Sequence, residues 1–366
     1  MRLNYNYLPE EFAETADIFA DWVKLIKSTD FTLGHYVDRF EHVFAEYVGV
    51  KYCIATNNGT DALILSLKAL GIGAGDQVIT VANTFYATVG AIVAVGATPV
   101  LVDCDSRYQI SPESIEDAIT AKTKAIMPVH WGGASPMMSD ILSIADKYQI
   151  EIVEDACMGI GAMVDGKHPG TFGRVNAFSM HPLKSLNVMG DGGMVVTNDA
   201  RLNSWMRKYR NHGMIDRDTI EFWGVNMRLQ PLQAIVAEHR LRALDDTIIK
   251  RTANAELLDK RLAHLSDKLI TPRRVEKHQE TYALYMCLAE NRDELVRFLS
   301  DNNIETKIHY PVPLNQQPAA KTGCLLAPNL ENVNMQAKKL ITLPVHQYLS
   351  SEQIEYMAEK IQAFYG

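Results

Sequence analysis

Residues 178–193 read FSMHPLKSLNVMGDGG: an apolar run, a single lysine at position 184, then a glycine-rich turn. The run has the composition of a buried strand, so the lysine falls just past a strand end. An amine there can bond to a carbonyl compound only when it is partly unprotonated, which requires desolvation and supporting groups. Taken alone, Lys184 is most simply a solvated surface residue, as most lysines are. Its meaning depends on its company, and two further segments supply it: NNGTDAL at 57–63 and EDAC at 154–157.

Working outward, β-rich runs alternate with helical patterns between about residues 50 and 200. YCIAT (52–56), QVITV (77–81), TPVLVD (98–103), KAIMPVH (124–130) and EIVED (151–155) are bounded by glycine, proline or charged turns, as buried strands are. Between the first two, TDALILSLKALG opens on Thr60 as a capping residue, repeats Leu63, Leu67 and Leu70, and stops at Gly71. ATVGAIVAV and SPESIEDAI continue the crossovers, and VNAFSM and GMVVTN add two more strands. This alternation predicts an α/β fold with a mostly parallel sheet sandwiched by helices.

Beyond residue 200 the pattern changes. RLNSWMRKYRNHG is helical, and residues 229–265 form a helical run long enough to bridge two domains, with no strand expected before TYALYMCLAE at 281–290. A smaller α+β unit follows, with RDELVRFLSDN and SSEQIEYMAEKIQAFY as helices and IETKIHY (304–310) as a strand. The expected division is a large domain over residues 1–240, including an N-terminal helical segment, and a small domain over 241–366. PVPLNQQP (311–318) is too proline-rich to be regular and reads as a site-facing loop.

Composition narrows the function classes. With 366 residues, 47% of them hydrophobic and 22% charged, the chain has the make-up of a globular enzyme and not of a disordered protein. A net charge of −8 without a basic stripe argues against nucleic acid as a partner. Cys53, Cys104, Cys157, Cys287 and Cys324 form no CxxC pair, so no metal site is expected and the thiols read as those of a reducing compartment. The start MRLNYNYLPEEF lacks a secretion signal, and no apolar run is long enough to span a membrane. The cytoplasm is the expected location.

The chemistry-bearing segments then fall into place. NNGTDAL follows a strand and opens a helix, so the backbone N–H groups near Gly59, Thr60 and Asp61 are suited to an anion such as phosphate. A capped strand-to-helix turn is the plainer reading of that motif, which is neither a Walker loop nor a dinucleotide fingerprint. Asp155 ends an apolar strand at the edge where open α/β sheets bind ligands, and a helix cap is its plainer reading. A buried carboxylate there needs a cationic partner, and a protonated pyridine nitrogen is one. Phe85 or Tyr86 can stack on a planar ring, although core aromatics are commoner. Ser179, five residues before Lys184, is placed to donate to the same anion.

An anion loop, a stacking aromatic, a strand-end Asp and a lysine after the sixth strand resemble the fold-type-I enzymes that use pyridoxal 5′-phosphate (PLP). More narrowly, NNGTDAL, TFYATVGAIVAVGATPVLVDCD, EDAC, FSMHPLKSLNVMGDGG, RNHG, GVNMRLQPLQAIVAEHRL and HYPVPLNQQP resemble, in order, the DegT/DnrJ/StrS sugar aminotransferases. The resemblance implies Gly59, Thr60 and Ser179 on the PLP phosphate, Phe85 on the ring, Asp155 at the pyridine nitrogen and Lys184 as the covalent anchor. It also implies that Asn226 reaches the phosphate of a neighbouring subunit, hence a homodimer with shared sites. Two positions depart from the family pattern. Met158 stands where Gln or His is frequent, and Asn315 where His is frequent.

The expected function is a PLP-dependent aminotransferase that moves an amino group, with glutamate as donor, onto a keto or aldehyde sugar for a surface polysaccharide or lipopolysaccharide. The released lysine would serve as proton carrier. HPLKSLN and Met158 resemble the branch that aminates an oxidised octulosonate, and Arg228 or His309 is a candidate to meet such an acidic substrate. The rivals are a PLP-dependent sugar dehydratase, which the retained lysine opposes, a cysteine desulfurase, for which no glycine-flanked cysteine loop is seen, and a non-catalytic regulatory relative.

Overall fold

A computed structural model describes residues 1–366. Its centre is a sheet built from two sets of strands. Five run parallel in the order Leu325–Leu326, Thr98–Val102, Gln77–Val81, Thr123–Met127 and Glu151–Ile152. Three more, Tyr52–Thr56, Gly193–Thr197 and Val175–Ser179, pair antiparallel in that order. Asp155 joins the sets, with parallel bridges to Val129 on one side and Ala177 on the other. Gly193–Thr197 is therefore the strand that runs against its neighbours, and the rest of the sheet has the parallel character that the alternation predicts.

Burial on both faces explains the near-continuous apolar strands. Val175–Ser179 and Gly193–Thr197 are buried at every residue. Their side chains alternate between two cores, as a period of two requires. Phe178, Met194 and Val196 pack with Phe40 and Phe44 of the helix His35–Val48, where the rings of Phe44 and Phe178 meet edge-on at 5.3 Å. Ala177 and Val195 face the other way, toward Leu63 and Leu67 of the helix Gly59–Ala69. That helix begins earlier than its sequence suggests. Its cap is Asn58, whose side chain accepts from the Asp61 N–H at 2.8 Å, and Thr60 lies inside the first turn. Such a cap contributes about 1 kcal/mol.

The C-terminal part carries its own antiparallel sheet in the order Leu340–Leu343, Tyr285–Ala289, Leu269–Ile270. Helices Arg292–Asp301 and Ser351–Tyr365 frame the apolar cluster around it. Several expectations are corrected here. The run at 229–265 is two helices, Pro231–Leu241 and Leu244–Leu262, followed by a short turn of 3-10 helix. Short strands at Leu269–Ile270 and His278–Gln279 lie where none was expected. IETKIHY is not a strand, because only single residues of it find partners. Ile304 bridges to Leu3 and Lys307 to Thr342.

The N-terminal segment thus crosses to the C-terminal sheet. Leu3 is buried in its core, the Glu305 N–H donates to the Leu3 carbonyl at 2.9 Å, and the Tyr5 N–H donates to the Glu305 carboxylate at 2.9 Å. No helix of the chain is long and apolar enough to cross a membrane.

Candidate active site

A cavity of about 770 Å³ opens between the carboxyl ends of the parallel strands and the C-terminal sheet. Gly59, Thr60, Phe85, Asp155, Ser179, Lys184 and His309, distant in sequence, all line it. Asn226 and Arg228 do not. Asn226 is exposed on an outer loop, and the Arg228 guanidinium donates to the Asn211 side chain at 2.7 Å. In a single chain, neither residue is available to the cavity.

Asp155 is held from three sides. Its N–H donates to the Pro128 carbonyl, its carbonyl accepts from the His130 N–H, and the Ala156 N–H donates to the Ala177 carbonyl. The preceding residue reinforces this seam. Glu154, wholly buried, accepts from the N–H groups of Gly170, Phe172 and Gly173 and contacts His130 Nε2 at 2.9 Å. The Asp155 carboxylate, 4% exposed, accepts from Thr88 Oγ1 at 2.7 Å and from the Cys157 N–H at 3.2 Å. A hydrogen bond to a charged acceptor is worth about 1.5–3 kcal/mol, enough to fix one orientation of the carboxylate. Thr88 sits in the first turn of the helix Tyr86–Ala94, three residues after Phe85.

Ser179 and the helix N-terminus at Gly59 converge closely. A Cβ placed on Gly59 would lie 2.6 Å from Ser179 Cβ and 3.2 Å from Cys157 Sγ. Only glycine permits that approach. The cradle so formed, with helix N–H groups and a serine hydroxyl around it, is of the kind that takes a phosphate. Phe85, 37% exposed, stands at the wall with the Tyr310 ring 6.1 Å away, and the buried Trp131 backs Tyr310 at 5.8 Å.

Lys184 projects from a turn in which Leu183 adopts a left-handed backbone, φ +72, a conformation that non-glycine residues enter at a cost of about 1–2 kcal/mol. Its amine makes neither a hydrogen bond nor an ion pair with any other side chain. Burial lowers its pKa below the ordinary lysine range, while the charges of Cys157 and Asp155 act in the opposite direction. The amine is therefore easier to deprotonate than a solvated lysine. His309, whose Nδ1 lies 3.0 Å from Thr342 Oγ1, is pushed down to about 4 by burial and by the nearby Lys184 charge. With no ligand bound, it is an uncharged hydrogen-bonding group at neutral pH.

Over residues 13–362 the sequence matches the DegT/DnrJ/EryC1/StrS aminotransferase family. The chain belongs to that family. It is 38% identical to a dTDP-3-amino-3,6-dideoxy-alpha-D-galactopyranose transaminase of Aneurinibacillus thermoaerophilus, with 93% of each chain covered. It is also 37% identical to a pleiotropic regulatory protein of Geobacillus stearothermophilus, over 93% of this chain and 92% of that one. Among solved structures, a DegT DnrJ EryC1 StrS aminotransferase from Brucella abortus superposes with a TM-score of 0.95 at 33% identity, covering 100% of both chains. The fold is that of the fold-type-I aminotransferases, and this member is a PLP-dependent sugar aminotransferase.

The residues present fit that cofactor. The Gly59 and Ser179 cradle suits its phosphate, the Phe85 wall its ring, the buried Asp155 carboxylate its protonated nitrogen, and the unpaired Lys184 its aldehyde. Met158 lines the cavity but has no side-chain hydrogen-bond donor, so this part of the wall is apolar. Asn315 is outside the cavity, tied to Asn334 at 3.0 Å. The loop 311–318 likewise faces away, and His309 and Tyr310 just before it are the residues that reach the site. Sequence reading missed Thr88, Trp131 and the trio Tyr5, Tyr7 and Arg251. Thr88 was legible in TFYAT, one turn after the aromatic. Nothing in the helical pattern around Arg251 marks it as facing a cavity.

Proposed function

We propose that this family member takes its amino group from glutamate, delivers it to a keto or aldehyde sugar for a surface polysaccharide or lipopolysaccharide, and works in the cytoplasm as a homodimer with shared sites. The observation that carries the reading is the unpaired Lys184 amine in a cavity that also holds a fixed carboxylate and an anion cradle. PLP, when bound, supplies the carbonyl that captures the amine and the electron sink that lets a neighbouring C–H bond ionise. The chain does the rest. The helix N–H groups at Gly59 and Thr60 and Ser179 Oγ hold the phosphate, the Asp155 carboxylate keeps a ring nitrogen protonated, and Phe85 fixes the plane of the ring. Lys184 Nζ, with its lowered pKa, accepts and returns the moving proton. A scaffold without catalysis, in the manner of a regulatory relative, has no use for a desolvated amine facing a buried carboxylate.

The test is spectroscopic. Glutamate is expected to bleach the visible absorbance of the PLP-loaded protein, and a keto-sugar acceptor to restore it. Unchanged absorbance in the presence of glutamate would remove glutamate as donor, and no response to any amine would favour the non-catalytic reading.

Support for the dimer comes from the loop that carries Asn226. Trp223 is 88% exposed there and Ile215 60%, an apolar patch of the sort that a second chain covers. Asn226 is exposed beside it, away from its own cavity. Lys184→Ala and Asn226→Ala proteins are each expected to be inactive, and their mixture to regain about one quarter of the wild-type activity, because half of the dimers then hold one intact site. Absence of recovery in confirmed heterodimers would show that Asn226 serves its own subunit.

A further inference from the structure

In the wall of the cavity, Arg251 of the helix Leu244–Leu262 is 2% exposed. Its partners are all neutral. Nε donates to Gln347 Oε1 at 2.8 Å, one Nη to the Tyr7 hydroxyl at 2.7 Å, and the other only weakly to Ser185 Oγ at 3.4 Å. A guanidinium has five N–H donors, so two of them have no acceptor in the chain. No carboxylate touches it. Glu11 is reached only through Gln347, and it already pairs with Arg240 and accepts from Asn187. The Glu11 charge is felt at Arg251 but is already taken up by Arg240. A buried cation without a directly contacting carboxylate is costly, and this one borders a cavity.

The surrounding groups add donors and no anion. The Tyr7 hydroxyl, which accepts from Arg251, keeps its own proton to give. The Tyr5 hydroxyl has no partner in the chain, and its ring stands 6.1 Å from that of His309. Ser185 directly follows Lys184, which places the guanidinium on the lysine side of the cavity. A guanidinium fork with adjacent hydroxyls matches the two oxygens of a carboxylate.

We infer that Arg251, with Tyr7 and Tyr5, is a second anion subsite that binds a substrate carboxylate. This deepens the aminotransferase reading and rests on it. Two substrates can bring that carboxylate: the amino-acid donor, or an acidic sugar acceptor.

Calorimetric titration of the PLP-loaded protein with glutarate, D-glucuronate and D-glucose tests this without turnover. The wild type is expected to bind glutarate or glucuronate and to prefer glucuronate over glucose if the sugar is the source. Arg251→Gln should weaken the carboxylate ligand about 10- to 100-fold, the range for losing a hydrogen bond to a charged group. Loss of glutarate alone assigns the subsite to the donor, and loss of glucuronate alone assigns it to the acceptor. Arg251→Lys keeps the charge without the fork and should fall between, which preserves the test should the glutamine variant fail to fold. Wild-type affinity for both carboxylates in a folded variant, or no binding of either by the wild type, overturns the inference. Failure of the aminotransferase reading is seen separately, as absorbance that no amine bleaches.

Discussion

Lys184→Ala is expected to fold normally and to lose at least about 10⁴-fold in turnover, since one residue supplies both the covalent anchor and the proton carrier. Stability should be spared because the amine has no partner in the chain to lose, and removing a desolvated cation relieves a cost. Melting curves of the variant and wild type should therefore superpose within a few degrees. Borohydride reduction of the wild-type holoenzyme followed by peptide mapping is expected to place the cofactor in the peptide that contains Lys184. Label on another lysine, or substantial turnover in the alanine variant, would sink the assignment.

Asp155→Asn should retain cofactor and lose about 10²–10⁴-fold in rate. The asparagine is nearly isosteric, so its Oδ1 can still accept from the Thr88 hydroxyl or the Cys157 N–H, and the backbone bridges to Val129 and Ala177 are untouched. What is lost is the charge. A neutral amide cannot keep a proton on a facing pyridine nitrogen, and the electron demand at the reacting carbon falls with it. Equilibrium dialysis should show PLP still bound while single-turnover bleaching by glutamate slows. A variant that binds PLP and reacts at the wild-type rate would mean that Asp155 is only a structural seam between the two halves of the sheet.

Much of this molecule is legible in its sequence. Strand positions followed from apolar runs with turn residues at both ends, which depend only on neighbours along the chain. The anion loop, the strand-end Asp155 and Lys184 were readable for a similar reason: each sits at a strand's carboxyl end, a place that local pattern marks. The errors arose where partners are remote. IETKIHY has the composition of a strand but finds only single-residue partners in Leu3 and Thr342. The helical run at 229–265 keeps its periodicity across a break that only packing reveals.

The sequence by itself determined the alternating α/β architecture, the family and the strand-end segments that supply Gly59, Asp155, Ser179 and Lys184, because those are encoded in short segments whose spacing along the chain is the signal. Tertiary structure alone decided which side chains share the cavity. It brought Thr88 onto Asp155 and drew the N-terminal Tyr5 and Tyr7 across to the C-terminal sheet. It left Arg228 and Asn226 outside their own site, and it set Arg251 in the cavity wall with no carboxylate in direct contact. Those outcomes depend on contacts between segments up to hundreds of residues apart, and no local periodicity records which buried cation will lack a partner.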